Sequence, residues 1–425
     1  MKLLSYWHDT APAFTGGADG PVEGRYDVAV VGGGFTGLAA ARQLAMGGAR
    51  VALLEANTVG SGASGRNGGH LNNGIAHSYV AAKAHLGAER AHALYRAFDA
   101  SVDRIEAIVA EEGIDCAFRR AGKLKLASKP KHVAGLRANF EVIHREVDPD
   151  TAFLSKADLA HEVGTDAFHG AMLSKKSGMM HMGRYAVGLA EAARRRGAVL
   201  FEQAPVTARR TVDGMTELTT PRGTLTARDV FVATGAYTSG PFGWFKRRLV
   251  NVGSFIVATR PLTAAEVAAV LPGNRTCVNS MNVGNYFRLA PDNRLIWGGR
   301  ARFTAFSDQR SDAKSGAVLK ASLATIFPQL AHVELDYCWG GLVDMTQDRF
   351  PRAGRADGVW YAMGYSGHGA QMSTEMGIRI ADAILGRPDT NPLAGLDWPA
   401  IPGHLGQPWF LPLVGLWYKT LDRFQ

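Results

Sequence analysis

The segment YDVAVVGGGFTGLAAARQL, residues 26–44, limits the possible folds more than any other part of the chain. A short β-branched run at 26–31 passes directly into Gly32-x-Gly34-x-x-Gly37, which opens an Ala/Leu-rich stretch at 35–47 with apolar residues at helical spacing. Gly47 and Gly48 stop that helix, and a second apolar run at 49–54 completes a parallel βαβ unit. Gly32 permits the tight turn, Gly34 lets the backbone approach a pyrophosphate, and Gly37 lets helix and sheet pack closely. The helix start, with Phe35 and Thr36, offers free N–H groups to phosphate. Glu55, followed by Ala56, ends the second strand, where a carboxylate accepts ribose hydroxyls and disfavours a 2′-phosphate. Glycines alone are a weak signal; between strand and helix, with the acid in place, they specify a dinucleotide site.

Three further stretches carry small residues where a flat or charged ligand could pass. The loop at 57–75 contains Ser61-Gly62-Ala63-Ser64-Gly65-Arg66-Asn67-Gly68-Gly69-His70. It is longer than most connections in compact domains, and such loops are usually functional. Arg66 and Asn67 can donate to oxygen atoms; the alternative is a flexible exposed loop. The strand at 228–237 ends in Val232-Ala233-Thr234-Gly235, at the edge where open α/β sheets bind ligands, or is an ordinary strand end. Gly364-Tyr365-Ser366-Gly367-His368-Gly369, with Ala370 after it, lies between a strand at 358–363 and a helix at 367–386, and gives a second helix start. His368 alone reads equally as a packed histidine.

The expected fold is mixed α/β: a Rossmann-type nucleotide-binding domain with an inserted substrate domain on a mostly antiparallel sheet. Its 425 residues exceed what one core usually supports, so two packed domains are expected. Rossmann-type patterns recur at the start, middle and end, and strands at 250–259, 284–290, 294–300 and 334–343 lie between them. The expected division is an N-terminal arm (1–24), a discontinuous nucleotide domain (25–80, 150–245 and 345–390), a substrate domain (81–149 and 246–344) and a tail (391–425).

Three cysteines without a C-x-x-C pair indicate neither a disulfide framework nor a zinc site, and fit a reducing, cytoplasmic setting. A net charge of +9 serves solubility or draws an anionic ligand; no dense Lys/Arg block argues for nucleic acid. Residues 1–24 lack the apolar core of a signal peptide. The aromatic, apolar tail at 407–421 is too short to span a bilayer; it lies on a membrane surface or packs on the body.

With these motifs together the chain resembles the D-amino-acid-oxidase-type FAD-dependent oxidoreductases, which include sarcosine, glycine and gamma-glutamylputrescine oxidases, with a particular likeness to the last. The matching segments are DVAVVGGGFTGLAAARQL, LLEANTVGSGASGRNGGHL, NYFRLAPDNRLIWGG, DYCWGGLVDMTQDRFPRAGR and YAMGYSGHGAQ, in the family's order from about residue 26 to 385. The resemblance implies bound FAD and oxidation of a C–N bond. A neutral amine loses hydride to flavin N5, the imine hydrolyses to a carbonyl compound, and oxygen or another acceptor takes the electrons. It places Gly32, Gly34, Gly37 and Glu55 at the ADP half, and Arg66, Asn67, Gly68 and Gly69 beside the isoalloxazine and phosphates. Gly364, Gly367, His368 and Gly369 fall at the flavin ring end, and Val206 at the adenine.

Departures from the family refine this. Gln371 replaces the lysine that holds carboxylate in sarcosine oxidase. The covalent flavin cysteine aligns near Gly341 and Leu342, which implies non-covalent FAD. His70 stands where the putrescine-type enzymes have glutamine or a similar residue. No lysine in NYFRLAPDNRLIWGG fills the oxygen-activating role, so oxidase and dehydrogenase both stay open, as does a flavin-binding protein without turnover. Tyr286 and Arg288 share one strand face. If that face lines the pocket, Tyr286 covers a small amine and Arg288 pairs with its carboxylate or phosphonate; otherwise both are sheet-surface or interdomain residues. His70, Trp339 and Gln371 are further lining candidates, and Asp344 and Asp348 read as loop caps or surface residues.

Overall fold

In the computed structural model, which describes residues 1–304, 310–388 and 390–424, two eight-stranded sheets organise the chain. The opening motif forms as its sequence dictates. Strand Arg25–Val31 leads through the glycine turn into helix Phe35–Met46, and strand Val51–Leu54 pairs parallel to the first. Gly223–Val232 and Val199–Phe201 extend the sheet in parallel on either side, and Val359–Met363 pairs with Gly223–Val232. The carboxyl ends of these strands therefore share one edge. A hairpin of Ala208–Val212 and Met215–Thr220, the first of which has no clear strand signal, continues antiparallel from Gly223–Val232.

The second sheet runs Leu335–Met345, Val250–Pro261, Arg294–Arg302, Tyr286–Leu289, Thr276–Asn279, Lys123–Leu126, Ala171–Ser174, Ala152–Leu154. All its pairings are antiparallel except that between Thr276–Asn279 and Lys123–Leu126. Because Ala152–Leu154 and Ala171–Ser174 belong to it, we place the return of the chain to the nucleotide unit after Ser174 rather than at residue 150.

Three apolar cores fix these layers. One packs helices Phe35–Met46, Ala88–Glu112, Met182–Arg195 and Gly369–Ile384 on the first sheet. The helices Phe35–Met46 and Gly369–Ile384 cross so closely that a Cβ on Gly377 would lie 2.3 Å from the Thr36 carbonyl oxygen, so the start of the first rests on the middle of the second. A second core joins Leu124, Leu126, Phe287, Leu289 and Trp297 to helix Ala313–Ile326 through Leu319 and Leu323. The third covers the other face of the first sheet.

The N-terminal segment is not a free arm. Helix Tyr6–Asp9 buries Tyr6 and Trp7, and the Lys2 N–H donates to the Asp336 carbonyl at 2.6 Å. Two adjacent aromatics in a polar stretch supply apolar area that is stable only against the body. The tail forms helix Leu411–Phe424; Leu411 and Gly415 pack inward while Trp409, Leu413, Leu416, Trp417 and Phe424 stay exposed. Among the described residues no helix is long and apolar enough to cross a membrane.

Candidate active site

One cavity of about 1530 Å3 runs from the carboxyl edge of the first sheet to the face of the second. Drug-sized ligands fill roughly 300–1,000 Å3, so this space suits a dinucleotide with room for a second molecule.

At the first-sheet end it is lined by Gly32, Gly34, Phe35, Thr36, Glu55, Ala56, Ser64, Val206, Thr234 and Gly235. Gly32 has φ +111°, and a Cβ there would sit 2.8 Å from the Ala233 carbonyl oxygen, so only glycine makes this turn. Gly37 faces the sheet, not the cavity: its Cβ would come within 1.9 Å of the Gly32 carbonyl oxygen. At Gly34 the nearest atom to an added Cβ is Ser64 Oγ, 2.9 Å away. That Oγ accepts the Phe35 N–H at 2.9 Å and ties the 61–70 loop to the helix start. Glu55 accepts the Gly33 N–H on Oε2 at 2.6 Å and the Asn57 N–H on Oε1 at 2.8 Å. Burial raises its pKa, and these N–H groups oppose the rise.

The glycine-rich loop is tied down throughout. Arg66 Nε donates to Ser61 O at 2.8 Å and Nη1 to Gly340 O at 3.0 Å; Asn67 Oδ1 accepts the Gly69 N–H at 2.9 Å. Trp7 Nε1 donates to Asn67 O at 2.6 Å, and Ser5 Oγ to Gly65 O at 2.7 Å. Arg66, Asn67, Gly68 and His70 line the cavity, whereas Gly69 does not. Trp339, expected as a lining residue, is fully buried behind the loop and donates to Arg66 O at 2.9 Å.

At the other end Gly367, His368, Gly369, Ala370 and Gln371 bring the start of helix Gly369–Ile384 to the cavity. Gly364 and Ser366 sit behind them: the Gly364 N–H donates to Asp344 Oδ2 at 2.6 Å, and Ser366 Oγ to Gly364 O at 3.2 Å. Asp344 thus caps the Gly364 turn, one of its two readings, and is not the surface residue that the other would make it. It lies in strand Leu335–Met345, is buried, lines the cavity, and burial lifts its pKa to about 6. Asp348 pairs with Arg352 at 2.6 Å.

The second sheet supplies the far wall. Tyr286 lines it, with Oη 3.3 Å from Ser254 Oγ and an edge-on contact to His70. Burial holds His70 at a pKa of about 3 between the carbonyls of Gly68 and Phe287, and His368 is likewise lowered to about 3. Gln371 Nε2 donates to Asn72 O at 2.6 Å. Arg288 does share the face of Tyr286 but lies under the loop, outside the cavity. Its Nε donates to Gly68 O at 3.2 Å and Nη2 to Met180 O at 2.8 Å, and it is fully buried. It therefore supports the loop rather than meeting a substrate acid; strand alternation gives the face of a side chain, not what covers it.

Two lysines on this wall, Lys123 and Lys125, were missed. The alternation in Lys123-Leu124-Lys125-Leu126 could have flagged them, because a strand with one apolar face in a core puts its other face elsewhere.

These residues fit FAD. Two helix starts and a strand-end carboxylate face one cavity long enough for a dinucleotide. Near the second helix start, Asn72 Oδ1, His368 Nδ1 and Ser373 Oγ are buried, belong to lining residues and have no hydrogen-bond partner, as expected where a polar ring edge docks.

Comparison with known proteins agrees. The sequence profile of the DAO family, FAD dependent oxidoreductase, matches residues 27–383. The chain is 32% identical over 408 residues to probable oxidoreductase OrdL of Haemophilus influenzae, covering 94% of this chain and 92% of that one. It is 33% identical over 364 residues to gamma-glutamylputrescine oxidoreductase of Escherichia coli, covering 85% and 84%. Among solved structures, glycine oxidase from Geobacillus kaustophilus superposes with a TM-score of 0.77 at 26% identity, covering 89% of this chain and all of that one.

Proposed function

The chain belongs to the DAO family of FAD-dependent oxidoreductases, and from that premise we propose that it oxidises the C–N bond of a small amine or amino acid. When bound, FAD supplies the two-electron acceptor for this step. The oxidised substrate, an imine, takes up water and yields a carbonyl compound and the released amine or ammonia. The observation that carries the reading is the single cavity that joins the Gly32–Glu55 nucleotide turn to an enclosed space beside His70, Tyr286 and the start of helix Gly369–Ile384.

Each group of residues has a part. The first helix start and Glu55 would hold the ADP half of FAD. The second helix start would offer its N–H groups and positive dipole end to the flavin ring and stabilise negative charge there. Tyr286, His70 and Gln371 enclose the substrate and exclude water. His70 and His368 are too weakly basic to take a proton near neutral pH, which favours an amine that enters already neutral.

FAD binding without a covalent bond is supported by the cysteines: Cys116, Cys277 and Cys338 are all buried and unpaired, and none lines the cavity. The same unpaired thiols favour a cytoplasmic setting. Oxygen is the proposed acceptor. A second reading, electron transfer to an acceptor at a membrane surface, is favoured by the exposed row Trp409, Leu413, Leu416 and Trp417 on and before the tail helix.

Anaerobic mixing with a panel of amines tests the main reading: at least one amine should bleach the bound flavin, and a panel that leaves it yellow removes the enzyme reading. Peroxide release during aerobic turnover separates the two acceptors. Dye reduction without peroxide, with sedimentation on anionic vesicles, would favour the membrane-side reading.

A further inference from the structure

The cavity's charge is lopsided. Among the described residues only Glu55 and Asp344 line it as carboxylates, and Glu55 belongs to the nucleotide turn. The far wall carries Lys123 and Lys125 on strand Lys123–Leu126, projecting from the same face because side chains alternate. Leu124 and Leu126 anchor the opposite face in the second core, so the two ammonium groups cannot turn away without undoing it. Lys123 Nζ donates to Asn73 O at 2.7 Å, and Lys125 Nζ to Asn279 O at 3.0 Å. An ammonium has three donors, so each keeps two.

Neither lysine has a carboxylate within ion-pair distance among the described residues. Asp99 and Asp148, which act on Lys123 from farther off, are taken by Lys176 at 3.2 Å and 3.4 Å; the two lysines repel one another, and Lys125 also meets the like charge of Arg349. Both lysines share the cavity with His368, the residue that opens the second helix. Enclosure pulls each down to about 8, the signature of a charge lacking a partner. Two unpaired cations in an enclosed wall are costly unless an anion arrives.

Resting on the amine-oxidation reading of this site, we propose that Lys123 and Lys125 form an anion subsite that selects amines bearing a second, acidic group remote from the C–N bond oxidised. The same two charges repel a substrate that is purely cationic, such as an unmodified polyamine. Carboxylate and phosphonate share the recognising chemistry, an oxyanion accepting from two ammonium groups.

The test uses the FAD-loaded enzyme and a matched trio of equal chain length: an ω-amino carboxylate, an ω-aminoalkylphosphonate and a plain n-alkylamine. The acid-bearing amines should show kcat/KM at least about tenfold above the alkylamine, since a charge-assisted contact is worth that much. Whichever acid is favoured identifies the source. Lys123→Gln and Lys125→Gln should each cut the acid-to-neutral ratio by about tenfold, and Lys125→Arg should retain most of it. A ratio near one in the wild type, or one that the Gln variants leave unmoved, overturns the proposal. Calorimetric binding of glutarate, which has no amine to oxidise, separates this proposal from the functional reading. Binding that both Gln variants weaken, with no amine bleaching the flavin, would uphold the anion subsite and reject amine oxidation. Bleaching by amines with no lysine-dependent glutarate binding would do the reverse.

Discussion

Arg288 lies directly beneath Gly69: a Cβ on that glycine would stand 2.3 Å from Nη2 of the buried guanidinium, and Gly69 itself has φ +82°. The glycine is therefore required twice, by its backbone and by the arginine it covers. Trp7 closes the arrangement, with its ring 5.1 Å from the guanidinium carbon. Three distant segments thus hold the loop that lines the middle of the cavity.

This relation makes Arg288 a positioning residue. Arg288→Ala would leave the Gly68 and Met180 carbonyls without their donor and open a void, and should cost about 2–4 kcal/mol of stability. FAD retention should fall, and KM should rise for acidic and neutral amines alike. Thermal melts and a paired KM comparison check this; a rise confined to acidic amines would return Arg288 to direct substrate contact.

Glu55 offers a sharper test of the nucleotide end, because both of its oxygens accept N–H groups of the turn. Glu55→Gln must turn an NH2 toward either Gly33 or Asn57, losing one acceptor and the charge that favours ribose hydroxyls. FAD should dissociate about tenfold more readily, with a smaller loss in melting temperature. Fluorescence titration of apoprotein with FAD measures it; unchanged affinity would remove Glu55 from the ribose.

What could be read from the sequence was whatever depends on neighbours in the chain. The strand–glycine–helix unit, Glu55 and the helix start at Gly369 are local, and the backbone conformation that glycine allows is itself the signal. What could not be read was set by pairing between distant segments. Asp344 sits in a strand whose burial depends on the turn at Gly364 twenty residues later, and the burial of Trp7 depends on the loop near Asn67. The alternation at 123–126 puts both lysines on one face, but that this face borders the cavity depends on the long-range pairing that seats the strand in the second sheet beside Thr276–Asn279.

Asp344 ties this geometry to pH. Its folded pKa of about 6 lies above the ordinary 3.8, so between those values the native state holds more protons than the unfolded chain. Stability from this group is therefore greatest below about pH 4 and is lost as pH rises towards 6. Asp344→Asn keeps an oxygen for the Gly364 N–H but cannot ionise. The variant's melting temperature relative to wild type should climb from pH 4 to 6 and level off above. A difference that stays flat over that range would show that the buried carboxylate does not titrate there.

The depressed pKa values of His70 and His368 lead to the last expectation. Both rings are neutral across the working range and neither is basic enough to deprotonate a substrate ammonium. The other titrating groups named on the cavity wall are Asp344, at about 6, and Lys123 and Lys125, at about 8; we expect none of them to act as the base, so that the enzyme selects the small neutral fraction of the amine from solution. The apparent kcat/KM should rise with pH in step with the free substrate's own ammonium pKa, and should shift when an amine of different basicity is used. Anaerobic flavin reduction followed across pH for two such amines measures this without interference from reoxidation. An inflection common to both amines would instead mark a protein base: near 6 to 6.5 Asp344 or a histidine, told apart by Asp344→Asn, His70→Asn and His368→Asn, and near 8 Lys123 or Lys125.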